Sequence, residues 1–300
     1  MPLLLLFAAA VLLVSCSRET KFRVDPVNWK YGQKASDAIK TVRGFSQPEA
    51  VRYDANNDVY YVSNFNGRGT EADSNGFISL LSAEGDILNK RYLVGSDSLP
   101  LHAPRGMYIT GNVLWATDIH GLHSFDTNTR KQINFIDFRG FKPGFLNDIT
   151  IDDQGNFFIT DTGKRRIYKL EGQRLSILAD SLPVQPNGIT FDSFNSLLVL
   201  APWGGAREFY AYDTVLDTLE QFGMAEAGGF FDGIEFVKGA LISASQTDNS
   251  LRIMENGFEQ QLLEVSGKPA DIAIDPNRMI VAVPYIALNQ VDFYALTHED

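Results

Sequence analysis

Cysteine is all but missing from this chain: Cys16 stands alone among 300 residues. A single thiol cannot close an internal disulfide, so the fold must rest on packing and hydrogen bonds. Histidine is scarce too, with four copies. None of them falls in the recurring column described below, which argues against zinc or copper there. Basic residues are outnumbered, 26 Lys and Arg against 37 Asp and Glu, for a formal charge of -11 and a pI of about 4.9. That balance excludes nucleic acid as a partner, because a phosphate backbone needs a basic face. No apolar run is long enough to cross a bilayer as an ordinary helix. Gly-x-Ser-x-Gly, His-Glu-x-x-His and P-loop strings are also lacking, so serine hydrolase, zincin and nucleotidase chemistry find no motif.

What the chain does have is strand-forming material, with 44% hydrophobic residues, 21 Phe and 11 Tyr. It arranges this material in one recurring phrase. Residues 146–161 read as a polar residue, a short alternating strand through Ile149 and Ile151, a turn at Asp152-Asp153-Gln154-Gly155, and a second strand Phe157-Phe158-Ile159-Thr160. Alternation and β-branched or aromatic content mark the strands, and Gly155 suits the turn. The phrase recurs at Pro48-Glu49, Pro104-Arg105, Pro186-Asn187, Phe231-Asp232 and Pro269-Ala270. The marked positions 49, 105, 147, 187, 232 and 270 recur at intervals of roughly 40–45 residues, the spacing of four-stranded propeller blades. The fold class is therefore all-β, a six-bladed β-propeller over 38–300. The last repeat offers only three strands, so a lone strand near 38–45 is expected to close the ring as its fourth.

Before that domain, residues 3–14 are apolar and lead into Leu13-Val14-Ser15-Cys16. The run has the length of a signal h-region. Its end resembles the lipobox of bacterial lipoproteins, which implies that residues 1–16 are a signal segment and that Cys16 is lipidated. The alternative is a plain secretory signal with an incidental cysteine. Residues 17–37 are polar and aperiodic, and read as a tether. Localisation is then the cell envelope, held to a membrane by lipid at the periplasmic face or outer membrane.

A propeller ring gathers its six marked residues at one mouth of the axial channel, where propeller function generally sits. Glu49, Asn147, Asn187 and Asp232 form an oxygen-only set with two negative charges, suited to Ca²⁺ or another hard divalent cation. Turn formation explains any one of them, but explains poorly four at equivalent positions. Arg105 suits a substrate carboxylate or phosphate, or else an ion pair with Glu49 or a neighbouring carboxylate. His120, grouped with His102 and His123, either lines the mouth or is an ordinary turn residue. Asp118 and Asp161 are expected to fasten turns. Asp148 and Asp271 stand one position beyond the column, behind the ligands, and Trp203 either walls a pocket or packs in the core.

Glu49 in Pro-Glu-Ala, Asn147 in Asn-Asp-Ile, Asn187 in Pro-Asn-Gly-Ile and Asp232 in Asp-Gly-Ile resemble, in order and spacing, the calcium-binding positions of the gluconolactonase/senescence-marker family. Paraoxonases, related six-bladed propellers, are similar in order. The resemblance spans about 43–297. It implies a cation-dependent hydrolase of lactones or related esters, with Glu49, Asn147, Asn187 and Asp232 as ligands and Asp232 or Glu49 activating water. Three departures stand out. Phe145 replaces an arginine used by gluconolactonase-like members for sugar acids. Arg105 replaces a paraoxonase histidine, and Ala50 replaces an aspartate tied to a second calcium. The ligand set is thus intact while substrate-binding positions (Arg105, Phe145, His120) are rewritten. The alternative is a non-catalytic envelope module that binds a ligand or protein. A monomer acting on a small molecule is the simplest expectation.

Overall fold

A computed structural model describes residues 27–298. It contains six four-stranded antiparallel sheets. In the first blade the strands run Pro48–Asp54, Val59–Asn64, Phe77–Ser82 and Ile87–Val94, paired in that order. The inner strands of the next four blades are Met107–Thr110, Leu146–Ile151, Gln185–Asp192 and Phe231–Val237. Inner strands of neighbouring blades touch one another around the whole ring, which places them at the axis. The six-bladed propeller expected from the repeat is what forms.

Alternation decides which face each strand buries, and the buried faces of adjacent blades pack on each other. Between blades two and three, for example, Leu122, Phe138, Leu146, Ile149, Ile159 and Tyr168 form one apolar cluster. The turns that end four of the six inner strands share one device. Asp54, Asp152, Asp192 and Asp275 each accept hydrogen bonds at Oδ1 from backbone N–H groups two to four residues ahead. These Asx turns are the physical content of the recurring Asp in the sequence phrase.

Blade six comprises Ala273–Asp275, Ile280–Tyr285, Gln290–Ala295 and, outermost, Lys40–Arg43. Thr41 lies opposite Asp292 and Val42 opposite Val291, and Thr41 Oγ1 donates to Asp292 Oδ1 at 2.7 Å. The closing strand is therefore present, and pairing the two ends of the chain leaves the ring without a gap.

Residues 27–37, expected to belong to a tether, are instead part of the packed domain. From Val27 onward the chain is packed against blades five and six. Trp29 is buried in a cluster with Val237, Ala240, Leu262 and Leu296. Lys30 N donates to Leu296 O at 2.8 Å, and Gly32 N to Leu262 O at 3.1 Å. Burial of the Trp29 ring favours this packing, while its Nε1, buried without a partner, offsets part of the gain. Cys16, the apolar run before it and residues 17–26 lie outside the described residues.

Candidate functional site at the hub of the ring

Four of the marked residues stand on β-bulges. Leu146 faces Asp161 while Ile149 faces Ile159, so three steps along the inner strand meet two on its neighbour. The same offset occurs between Pro48 and Val51, Pro186 and Ile189, and Phe231 and Ile234. A bulge interrupts the ladder and re-aims the side chains of the residues it contains. The residues so placed are Glu49-Ala50, Asn147-Asp148, Asn187-Gly188 and Asp232-Gly233. Backbone groups freed by a bulge need partners, and the second strand supplies hydroxyls. Ala50 N donates to Ser63 Oγ at 2.9 Å, and Asp148 N to Thr160 Oγ1 at 3.0 Å. Thr160 Oγ1 in turn donates to Asn187 O at 2.6 Å, tying blade three to blade four. Glycine follows Asn187 and Asp232 because the blades converge there. A Cβ on Gly188 would fall 2.2 Å from Asp232 O, and one on Gly233 2.4 Å from Asp271 Oδ1.

The bulges bring the candidate ligands toward the axis, and two of them touch. Asn147 Nδ2 donates to Asn187 Oδ1 and, at 3.3 Å, to Thr162 Oγ1. Glu49 and Asp232 repel one another across the hub. Both are buried, at 4% and 5% exposure, so water screens little of that repulsion. Burial pushes the Glu49 carboxyl well above the ordinary range, with Asp232 adding to the rise and Arg105 opposing it. Burial, then Asp148, push Asp232 up to about 7, against a hydrogen bond from Gln246 Nε2 to its Oδ2 at 2.8 Å. Glu49 Oε2 is buried with no hydrogen-bond partner.

Behind this layer sit the two residues expected there. Asp148 accepts from Ile149 N at 2.7 Å and from Ile189 N at 2.8 Å, which fixes its carboxylate between blades three and four. Burial raises it to about 6 even so, with Arg52 opposing. Asp271 donates its backbone N–H to Glu49 O, while both of its carboxylate oxygens are buried without a hydrogen-bond partner. Arg52, bonded to Glu235, approaches Asp271 Oδ2 at 3.9 Å. Among the described residues the basic groups facing Glu49, Asp148, Asp232, Glu235 and Asp271 at the hub are Arg52 and Arg105, so negative charge is left over for a cation or protons to balance.

Arg105 belongs to this hub and departs from the ion pair that was one expectation for it. Among the described residues it makes no ion pair with any carboxylate. Its guanidinium stacks 4.0 Å from the centre of the Phe145 ring, and Nη2 donates to Gly69 O in the loop 65–76. Nε and Nη1 are buried without partners. Desolvation lowers its pKa to about 10, with Glu49 and Asp118 opposing, so it remains cationic at neutral pH. Phe145, standing where the resemblance led one to expect arginine, thus serves as a platform for Arg105.

His120 lies elsewhere. With His102, His123, Asp118, Phe135 and Arg139 it lines a pocket of about 210 Å³ that includes none of the four candidate ligands. Asp118 does fasten its turn, accepting from His120 N at 2.7 Å, Gly121 N at 3.0 Å and His102 N at 3.3 Å. Asp161 does likewise for Gly144, Phe145 and Lys164. Trp203 packs perpendicular to Phe230 at 5.1 Å. Sequence reasoning missed Gln246, Ser63 and Thr160. The hydroxyls had a visible signal, a Ser or Thr near the end of a second strand, whereas Gln246 had none.

The donor set fits a hard divalent cation. It offers two carboxylates, two carboxamides and an orphaned buried oxygen on Glu49. Among the described residues no group of three or more His, Cys, Asp and Glu side chains is arranged to hold a metal. The carboxamides of Asn147 and Asn187 are therefore indispensable to any site here.

No family model matches the sequence. No curated protein matches it either. Among solved structures the chain is similar to regucalcin, a calcium-binding protein from Agrobacterium tumefaciens, at 16% identity and a TM-score of 0.66 over 85% of this chain and 91% of that one. It is similar to a gluconolactonase from Xanthomonas campestris at 16% identity and a TM-score of 0.67, over 91% and 96% of the two chains. Virginiamycin B lyase from Staphylococcus aureus follows at 12% identity and 0.61, over 85% and 98%. At these identities the likeness establishes the propeller, and the lyase among them shows that the fold alone does not fix the chemistry.

Proposed function

We propose that the protein is a divalent-cation-dependent hydrolase of lactones or related esters, anchored in the cell envelope through lipid on Cys16. The observation that carries the catalytic part is the set of four oxygen-bearing side chains on β-bulges at the axis, with Glu49 Oε2 buried and unpartnered. Regucalcin and gluconolactonase among the structural neighbours support the same reading. Glu49, Asn147, Asn187 and Asp232 would hold the cation, Ca²⁺ or one like it, which supplies Lewis acidity toward a carbonyl oxygen.

The remaining steps belong to the chain's own groups. Asp232, held at Oδ2 by Gln246, takes a proton from the attacking water at its free oxygen. Water oxygen bonds to the acyl carbon, the ring C–O bond breaks, and the proton passes to the departing alkoxide, giving a hydroxy acid. Arg105 directs its unpartnered Nε and Nη1 to a carboxylate or phosphate on the substrate, with Phe145 fixing the guanidinium plane. Burial of the hub beneath Arg105 favours a second reading, a closed structural ion site in a ligand-binding module.

A panel of lactones and aryl esters, with and without carboxylate substituents, separates the two. Turnover by the parent that falls about a hundredfold or more in Asp232→Ala supports the hydrolase. Equal rates in the two proteins would remove it. A variant that loses calcium-dependent thermal stability while the parent turns over nothing identifies the module.

A further inference from the structure

Three residues beyond each marked position the chain carries a second recurring column: Arg52, Tyr108, Thr150, Thr190, Glu235 and Ala273. Inner strands start at the hub and run away from it, so this column forms a second ring further along the axis. Its first five members line one cavity of about 490 Å³, with the turn residues Asn56, Asp153 and Ser193 at its rim. That volume is ordinary for a small-molecule site. None of the four candidate ligands lines it. Between hub and cavity lies a layer in which the blades approach closely, as at Gly106, where a Cβ would fall 2.4 Å from Asp148 Oδ1. Neither Gly106 nor Asp148 nor Asp271 lines the cavity, so the two compartments are separate.

The lining is polar where the fold itself makes no use of polarity. Thr150 and Thr190 are 5% and 8% exposed. Among the described residues their hydroxyls, and that of Tyr108, make no hydrogen bond. Buried hydroxyls ordinarily have partners, and valine fills the same space in a strand with no hydroxyl to satisfy. Arg52 is bonded to Glu235 and lies 5.9 Å from the centre of the Tyr108 ring, while its Nε is buried without a partner.

Charge then restricts what can enter. Among the described residues the one cation lining the cavity, Arg52, is already paired with Glu235, and Asp271 and Asp148 face it from behind. An anion would meet Glu235 and the exposed Asp153 with no free cation to hold it. A cation would meet the Arg52 guanidinium. We infer that this cavity is a second binding site, for a small uncharged polyol of the mono- or disaccharide class. Each free hydroxyl both donates to and accepts from a ligand hydroxyl. The Arg52–Glu235 pair sets a donor beside an acceptor, and Ile149, Ile189 and Phe191 supply apolar wall for the C–H faces of a ring. The site shares no residue with the hub and does not rest on the chemistry proposed there.

Its test is titration calorimetry on the full chain with D-glucose, D-galactose, D-xylose and maltose, beside glucosamine and gluconate as charged analogues. At least one neutral sugar should bind in the millimolar range. Thr150→Val/Thr190→Val, which removes both hydroxyls and keeps the shape, should weaken that binding about tenfold or more, while Asp232→Asn leaves it unchanged. Glu235→Gln repeats the test should the double variant fail to fold, and a comparable loss is expected. No neutral sugar binding below about 100 mM, or binding that survives both cavity variants, overturns the inference. Binding lost in Asp232→Asn alone puts the sugar at the hub and overturns it too. So does a charged analogue that binds more tightly than the neutral sugars and is lost in the double variant.

Discussion

At the scale of single residues, Asp118 shows how one buried carboxylate can organise a loop without entering the chemistry. Burial alone would raise it, but His123 Nε2 at 2.9 Å and the N–H groups of His120 and His102 pull it below the usual carboxylate range. A depressed folded pKa means that its stabilisation is complete above the unfolded value and is lost as pH falls through the folded one. Asp118→Asn should therefore cost about 2 kcal/mol at neutral pH, and urea midpoints of parent and variant should converge as pH falls below the ordinary carboxylate range. A gap that stays constant with pH would show that shape, not charge, is what Asp118 contributes. Its turn-fastening role was legible in the sequence because Thr117-Asp118 precedes a turn. Its pairing with His123 was not, since that contact depends on how the neighbouring strand is paired. Arg105 was half legible for the same reason: its position in the column could be read from spacing, but its stacking on Phe145 joins two blades.

At the scale of elements, period and spacing revealed the blades, while register concealed the bulges. Asn147-Asp148, Asn187-Gly188 and Asp232-Gly233 stand out in the sequence as polar pairs ahead of an apolar strand. Which of the two faces the axis is set by the partner strand, through pairs such as Leu146 with Asp161 and Ile149 with Ile159. The packed segment around Trp29 was hidden more fully, because a lone aromatic in polar surroundings has no periodicity and its partners lie in blades five and six. The closing strand was readable by counting, since one blade lacked a strand, and its burial gives a direct test. Val42 is buried with Phe45, Val51 and Val291, whereas Arg43 is exposed. Val42→Asp should lower unfolding stability by about 3 kcal/mol and open an edge prone to self-association, and Arg43→Asp should change it by less than about 0.5 kcal/mol. Equal denaturation midpoints for the two variants would mean that this strand does not hold the ring shut.

For the whole molecule, the ring concentrates negative charge at its axis, and that concentration sets how the protein responds to pH. Glu49 is raised well above the ordinary carboxylate range, Asp232 stands at about 7 and Asp148 at about 6, burial being the largest cause for each. Unfolded carboxyls titrate near about 4. Between roughly pH 4 and 7 the folded state therefore binds more protons than the unfolded state, so stability of the cation-free protein rises as pH falls through that window and declines toward alkaline pH. A divalent cation at Glu49 and Asp232 competes with those protons. Calcium at about a millimolar should thus raise Tm more near pH 8 than near pH 5.5, with the excess appearing as the two carboxyls ionise. Glu49→Gln/Asp232→Asn removes both charges, so it should flatten the pH dependence and abolish the calcium shift while leaving the ring folded. Thermal scans of chelator-treated protein at the two pH values, with and without calcium, decide the matter. A calcium shift of equal size at both, or one that survives in the double variant, would place the cation away from the hub and leave the excess charge there balanced by protons alone.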